Sequence, residues 1–400
     1  ELKKIHISDI GKIVTGKTPR TSVAENYDGY IPFLTPSDDL SHKSAPKTTK
    51  TLTEQGLNEV RNCLLPSRSI CVSCIGSDLG KVVMTKEPTV TNQQFNSIIP
   101  NKNFNADFVY YFMTLVGREL NYLSKTSTAV PIINKSSFSN YELEVPDLET
   151  QNRIASILSS IDSKIELNRR INDNLEQQAQ ALFKSWFVDF EPFRGGEFVD
   201  SELGLIPKGW RVVSLGEVTK QITEKVGNRE DVTVLSPINS GELVLSEEYF
   251  TKQVFSKDLS KYLIVNPLSF AYNPARINIG SIGLNTFDFV GCVSPVYVVF
   301  ECEPNYQYFF DFFKRTAMFK DEVALRAIGG VRQSLGYNDL SLIKTIYPTS
   351  DVVVEFNNLY LKMKEVMIKN TDQNEKFISL RDSLLPKLMS GELKINEFNC

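Results

Sequence analysis

The stretch Ile154–Trp186 reads IASILSSIDSKIELNRRINDNLEQQAQALFKSW. Apolar residues recur in it at alternating steps of four and three: Ile154, Leu158, Ile161 and Ile165, then Leu175, Ala179, Leu182 and Trp186. Asn168 and Asn172 occupy the two central steps. A 3.5-residue period marks a helix that buries one narrow seam against another helix. The matching seam is written 202 residues later, on Phe356, Tyr360, Met363, Met367, Asn370, Asn374, Phe377, Arg381, Leu384 and Leu388, with asparagine at the same two steps. A helix over about 150–190 is roughly 60 Å long at ~1.5 Å per residue. With a single seam it is not stable alone in water. An unpaired buried amide costs ~1–3 kcal/mol, so asparagine should face asparagine. Antiparallel pairing achieves this, setting Asn168 against Asn374 and Asn172 against Asn370. Outward from that centre, Ile165 meets Phe377, Leu175 meets Met367, Ala179 meets Met363, and Ile161 meets a snorkelling Arg381. Pro386 should kink or end the second helix, leaving Ile154 with Leu388 as the least secure layer. Separate packing of each helix on its own domain ranks below pairing, because core-facing helices carry a wider apolar stripe.

The repetition extends outward from the helices. KKIHISDI at 3–10 resembles RVVSLGEV at 211–218, and the apolar strand after Ser69 matches the one after Ser269, with Gly80 and Gly280 in step. DFVYYFM (107–113) matches QYFFDFF (307–313), and GGEF (195–198) matches SGEL (390–393). The expected fold class is α+β (mixed α/β): two repeated globular domains separated by two long helices that form an antiparallel coiled coil, with pseudo-two-fold symmetry. The expected boundaries are 1–148 for the first domain, 149–190 for the first helix and 191–206 for a linker. The second domain then takes 207–347, the second helix 348–390 and a tail 391–400.

Bulk composition narrows the class. The 400 residues exceed one compact core, and 42% hydrophobic with 23% charged residues is ordinary for a globular chain. No apolar run approaches the ~20 residues of a membrane span, and ELKKIHISDI has no secretory leader pattern. A cytoplasmic location is expected, and with it reduced thiols for the six cysteines. Cys71-Val-Ser-Cys74 has metal spacing but no second pair, and it reads as a buried strand. With only His6 and His42 in the chain, a histidine-based metal or catalytic centre is not expected. The net charge of −4 gives no bulk argument for nucleic acid.

One motif needs testing against its surroundings. Gly11–Thr18, GKIVTGKT, matches the phosphate-loop pattern G-x-x-x-x-G-K-[ST]. Its repeat equivalent, TKQITEKV at 219–226, keeps neither glycine. Pro19 follows at once, and RTSVAENYDGYIPF shows no amphipathic helix for a phosphate to cap. Strand followed by turn is the preferred reading, with a nucleotide-binding enzyme using Gly16, Lys17 and Thr18 as a distant third.

LFKSWFVDFEPF (182–193), SELGLIPKGW (201–210) and LRDSLLPKLMSGEL (380–393) resemble signature segments of type I restriction–modification specificity subunits. TGKTPRTSVAENYDGYIPFLTPSDDL (15–40) resembles the opening of their target-recognition domains. The resemblance covers nearly the whole chain, in order. It implies a DNA sequence reader without catalytic activity, whose two target-recognition domains each bind half of a bipartite double-stranded site. It also implies that the helices space those domains and dock two methyltransferase subunits. No cofactor is expected on this chain: S-adenosylmethionine would sit on the methyltransferase partners, and ATP with Mg on the restriction subunits. No N-P-P-[YF] motif is found, the nearest being Asn273-Pro274-Ala275-Arg276. Adenine is commonly read by Asn or Gln and guanine by Arg. The candidates in the first domain are therefore Asn92, Gln93 and Gln94, with Arg68 and Lys81; in the second they are Arg276, Asn278, Arg332 and Gln333. Tyr272 and the aromatics of 306–313 read as core. The competing class is a cytoplasmic coiled-coil scaffold that reads no DNA.

Overall fold

The computed structural model describes residues 2–44, 47–125, 132–250, 255–327 and 334–393. Packing divides the chain into two units, Glu1–Arg170 with Lys369–Cys400, and Ile171–Ile368. Each unit takes one half of each long helix.

In the first unit the strands are β1 (Lys3–His6), β2 (Gly11–Thr15), β3 (Tyr27–Leu34), β4 (Lys50–Leu52), β5 (Ile70–Ser73), β6 (Val82–Met84), β7 (Val90–Thr91), β8 (Phe95–Pro100) and β9 (Glu142–Val145). β1 and β9 pair antiparallel, closing the domain's two ends on each other. A four-stranded sheet runs β2-β8-β5-β6, and a three-stranded sheet runs β4-β3-β7, with β3 parallel to β7. The run ICVS of β5 is buried on both faces, which is why it lacks polar alternation. Ile70 and Val72 face Phe108, Val109 and Met113 of the helix Ala106–Lys125. Cys71 and Val83 face the opposite way, onto Phe33, Leu52 and Val90. Burial raises the Cys71 thiol to about 12, so it is an inert core group.

The chain then forms a hairpin of β10 (Phe198–Ser201) and β11 (Gly204–Pro207). In the second unit follow β12 (Arg211–Ser214), β13 (Thr219–Ile222), β14 (Thr233–Pro237), β15 (Leu243–Leu245), β16 (Leu263–Val265), β17 (Phe270–Tyr272), β18 (Ile282–Leu284), β19 (Gly291–Val293), β20 (Val298–Cys302) and β21 (Lys344–Tyr347). β12 pairs with β21, one sheet runs β13-β20-β17-β18, and the other runs β15-β14-β19-β16, with β14 parallel to β19. This is the first unit's topology with β16 added at an edge. Tyr272, Phe309, Phe310, Phe312 and Phe313 are all core residues, as the sequence implied.

The long helices span Leu148–Phe187 and Ser350–Met389, 40 residues each and 202 positions apart. None of the twenty seam residues is exposed. In the first unit, Ile154 and Leu158 join Leu385, Leu388 and Met389 in the same core as β5. In the second, Ala179, Phe183 and Phe187 join Val353, Phe356 and Tyr360 in the core that holds Phe270. Within each unit the helix segments both pair with each other and pack onto the domain. The second helix does not end at Pro386 but runs through that residue to Met389. The proline sits in the final turn and removes one backbone bond. Burial of Leu388 to 2% exposure beside Ile154 at 1% offsets that loss.

Candidate nucleic-acid interface and helix pair

Of the two asparagine pairs expected at the centre of the seam, Asn168 with Asn374 is formed. Asn168 Nδ2 donates to Asn374 Oδ1 at 2.9 Å and to Gln373 Oε1 at 2.8 Å, and Asn374 Nδ2 donates to the Ile165 carbonyl at 3.3 Å. Both asparagines are 7% exposed. Asn172 donates to the Met367 carbonyl at 3.0 Å, and Asn370 is half-buried on the facing helix. Direction follows from pairs inside each unit. In the first, Asp162 meets Arg381 while Asn168 meets Asn374. In the second, Asn172 meets Met367 while Phe183 meets Phe356, ring centroids 5.8 Å apart. Both pairs of segments are antiparallel. Arg381 does not extend past Ile161 into solvent. Instead its guanidinium reaches Asp162 at 2.9 Å and Asp382 at 2.9 Å, because the adjacent carboxylate offers a charge-assisted bond that solvent does not.

At the C-terminal end of β5 several loops of the first unit converge. Ser73 N–H donates to the Lys81 carbonyl, Cys74 N–H to that of Gln94, and Ile133 N–H to that of Cys74. Lys81 and Asn92–Gln94 are thereby brought to one end of the sheet. Asn92 itself is 9% exposed and spent locally: its Oδ1 accepts from the Gln94 backbone and its Nδ2 donates to Gln94 Oε1. Gln93 is exposed, with Oε1 accepting from Thr18 at 2.6 Å. Lys81 pairs with Asp78 at 2.7 Å. Arg68 does not join this group. It precedes the other end of β5, in the left-handed region at φ 66°, and pairs with Asp107 at 2.6 Å. Burial opposes ionisation of Asp107, but hydrogen bonds from Lys43 and Arg68 hold its carboxyl below the ordinary range. In the second unit the loop after β17 is equivalent, with Asn273 N–H donating to the Ser281 carbonyl and Leu335 N–H to that of Pro274. Arg276 and Asn278 project from this loop exposed, and Arg276 forms no ion pair among the described residues. Arg332 and Gln333 lie outside the described residues.

Sequence reasoning missed Lys17 as a companion of this loop end. The phosphate-loop match covers β2 and continues as an irregular turn, followed before β3 only by the single 3-10 turn Ala24–Asn26 and by no α-helix. Gly16 N–H donates to the Phe95 carbonyl and Lys17 N–H to that of Thr91, so these amides are consumed rather than presented to an anion. Gly16 is required by close approach, since a Cβ there would lie 2.1 Å from the Asn92 carbonyl oxygen. Lys17 itself is exposed beside Gln93. Only the glycine-driven contact across the sheet end reveals this neighbourhood, and no local pattern encodes it. Among the described residues no cluster of three or more His, Cys, Asp or Glu could hold a metal, and no helix is long and apolar enough to cross a membrane.

Known proteins share this layout. A family model described as type I restriction modification DNA specificity domain matches residues 1–177. The chain is 28% identical to the MjaIX specificity subunit of Methanocaldococcus jannaschii, over 99% of this chain and 94% of that relative. Over almost its whole length the chain is thus similar to type I restriction enzyme specificity subunits. The HindI specificity subunit of Haemophilus influenzae is 25% identical over 80% of this chain and 83% of its own length. The fold is also that of the crystallised type I restriction–modification S subunit of M. genitalium, at TM-score 0.54 and 14% identity, covering 97% of this chain and 96% of that one.

Proposed function

We propose that this chain is a type I restriction–modification specificity subunit that reads a bipartite DNA sequence. The domains within 1–148 and 207–347 each take one half-site through the loop end that carries Lys17, Lys81, Gln93 and Gln94 in one, and Arg276 and Asn278 in the other. Amide and guanidinium side chains there offer the paired donors and acceptors that base edges require. The helix pair sets the half-site spacing and docks two methyltransferase subunits, and restriction subunits complete the cytoplasmic complex. The chain itself performs no chemistry. S-adenosylmethionine belongs to the methyltransferase partners, and ATP with Mg to the restriction subunits. The observation that carries the reading is one strand order occurring twice, each copy ending in an exposed polar loop and each tied to antiparallel helix segments. Sequencing the methylome of the host with and without the gene tests it. Loss of one split methylation motif is expected, and an unchanged methylome overturns it. Removing one heptad from the first helix should change the spacer or abolish modification, whereas an unchanged motif would show that the helices are not the ruler.

A further inference from the structure

Each unit contains a groove where the aromatic helix, the loop ahead of β4 or β15 and the long helix segments meet, about 780 Å³ in the first and about 750 Å³ in the second. The two grooves occupy equivalent places in the repeat. Asp162 and Ile165 line one where Lys364 and Met367 line the other, 202 positions on, and Lys86 corresponds to Thr286. Their charges are opposite. The first is lined by five cations, Lys43, Lys86, Arg169, Arg170 and Arg381, against three carboxylates. The second is lined by five carboxylates, Asp173, Glu176, Glu242, Glu248 and Asp311, against Arg315 and Lys364.

Two of the five cations in the first groove are already committed, Lys43 to Asp107 at 2.7 Å and Arg381 to Asp162 at 2.9 Å. Lys86 is 55% exposed, and its one ion pair among the described residues is with Glu166 at 3.9 Å. Arg169 and Arg170 form no ion pair among the described residues, and Arg170 is exposed. A sign reversal between equivalent grooves is not a property of the shared fold. Uncommitted guanidinium groups suit a phosphodiester, to which they donate in bidentate fashion. The groove also lies beyond the opposite end of the β5–β6 hairpin from the base-reading loop. A strand of four residues separates the two by about 13 Å at ~3.3 Å per residue, close to the ~12 Å width of the major groove.

We propose that Lys86, Arg169 and Arg170 form a phosphate-contact site for the DNA backbone in the first unit, without a counterpart in the second. The site rests on the DNA-reading function above and makes the electrostatic footprint of the two half-sites unequal. The test measures affinity of the complex assembled with methyltransferase subunits for a fluorescent duplex bearing its methylation motif, across a salt series. Each lost phosphate contact removes ~0.9 from the slope of log affinity against log salt. The triple variant K86Q/R169Q/R170Q should flatten that slope by about two to three and leave the methylated motif unchanged. The control K4Q/K208Q/K220Q makes the same change in net charge at exposed lysines each paired with a glutamate, and its slope should stay at the wild-type value. An unchanged slope in the groove variant overturns the proposal, as does equal flattening in the control. Reduced incorporation of methyltransferase subunits with an unchanged slope also overturns it and assigns the groove to an acidic protein segment. If the wild-type complex shows no sequence-specific binding at all, it is the DNA-reading function that fails.

Discussion

Replacing Asn374 with leucine removes the oxygen that accepts from Asn168, leaving a buried amide dependent on Gln373 alone. Asn168→Leu does the converse, and Asn374 then keeps only its long bond to the Ile165 carbonyl. A buried polar group left without a partner costs about 1–3 kcal/mol, so each single variant should lose about 2 kcal/mol. The double variant N168L/N374L instead sets leucine against leucine in a seam that is otherwise apolar, which is close to neutral because both polar partners leave together. The unit concerned, Glu1–Arg170 with Lys369–Cys400, has about 200 residues, and at that size 1 kcal/mol moves the Tm by about 2–4 °C. Calorimetry of the full chain should therefore show the corresponding transition lowered by about 4–8 °C in each single variant and by less than about 2 °C in the double. The double variant should also lose its unique spacing in methylome sequencing, because leucine layers tolerate a slipped register that asparagine layers do not. A double variant that falls by the sum of the two singles would show that the amides are energetically independent and that the polar layer does not hold the register.

Four further outcomes are expected. Gly16→Ala should destabilise its domain by about 2–3 kcal/mol in urea titration, through overpacking against the Asn92 carbonyl, while exposed Lys17→Ala changes stability by less than ~0.5 kcal/mol; neither the wild type nor Lys17→Ala should give heat with ATP in calorimetry. Lys314 is 2% exposed and donates to Asp311 and to the Gly241 and Ile282 carbonyls, so Lys314→Met should cost about 3 kcal/mol by leaving those buried acceptors short of a donor. Arg20 donates to Glu59 and holds its carboxyl at about 2 instead of 4.5; a depressed carboxylate stabilises the fold above its unfolded value and loses that contribution as pH falls from about 4.5 through about 2, and carbon-detected NMR should find the Glu59 titration back near its ordinary value in Arg20→Ala. The isolated chain, at net charge −4, should shift a duplex weakly in gels and much more strongly with methyltransferase subunits, since phosphate neutralisation supplies most non-specific affinity; equal affinity in both would contradict this.

The seam period and the twin asparagines by themselves determined that two helices exist, that they run antiparallel and that Asn168 faces Asn374. Periodicity is a local property, and the cost of an orphaned amide makes the register nearly unique. The doubled chain likewise implied two related domains, and the broken repeat at 219–226 argued against the phosphate-loop match. The tertiary structure decided what depends on contacts between distant segments. It showed that the helix ends are parts of the sheet cores rather than a free rod, because Leu158 and Phe183 pack with residues more than a hundred positions away. It set Arg68 at the other end of β5 from Lys81 and Asn92–Gln94, paired with Asp107, and brought Lys17 to their end of the sheet through the Gly16 contact. The reversal of charge between the two grooves was also invisible along the chain, since their cations and carboxylates come from loops, strand ends and helices that only folding brings together. Spacing in sequence fixes which faces a helix or strand presents, whereas the pairing of charges follows from how those faces close on one another.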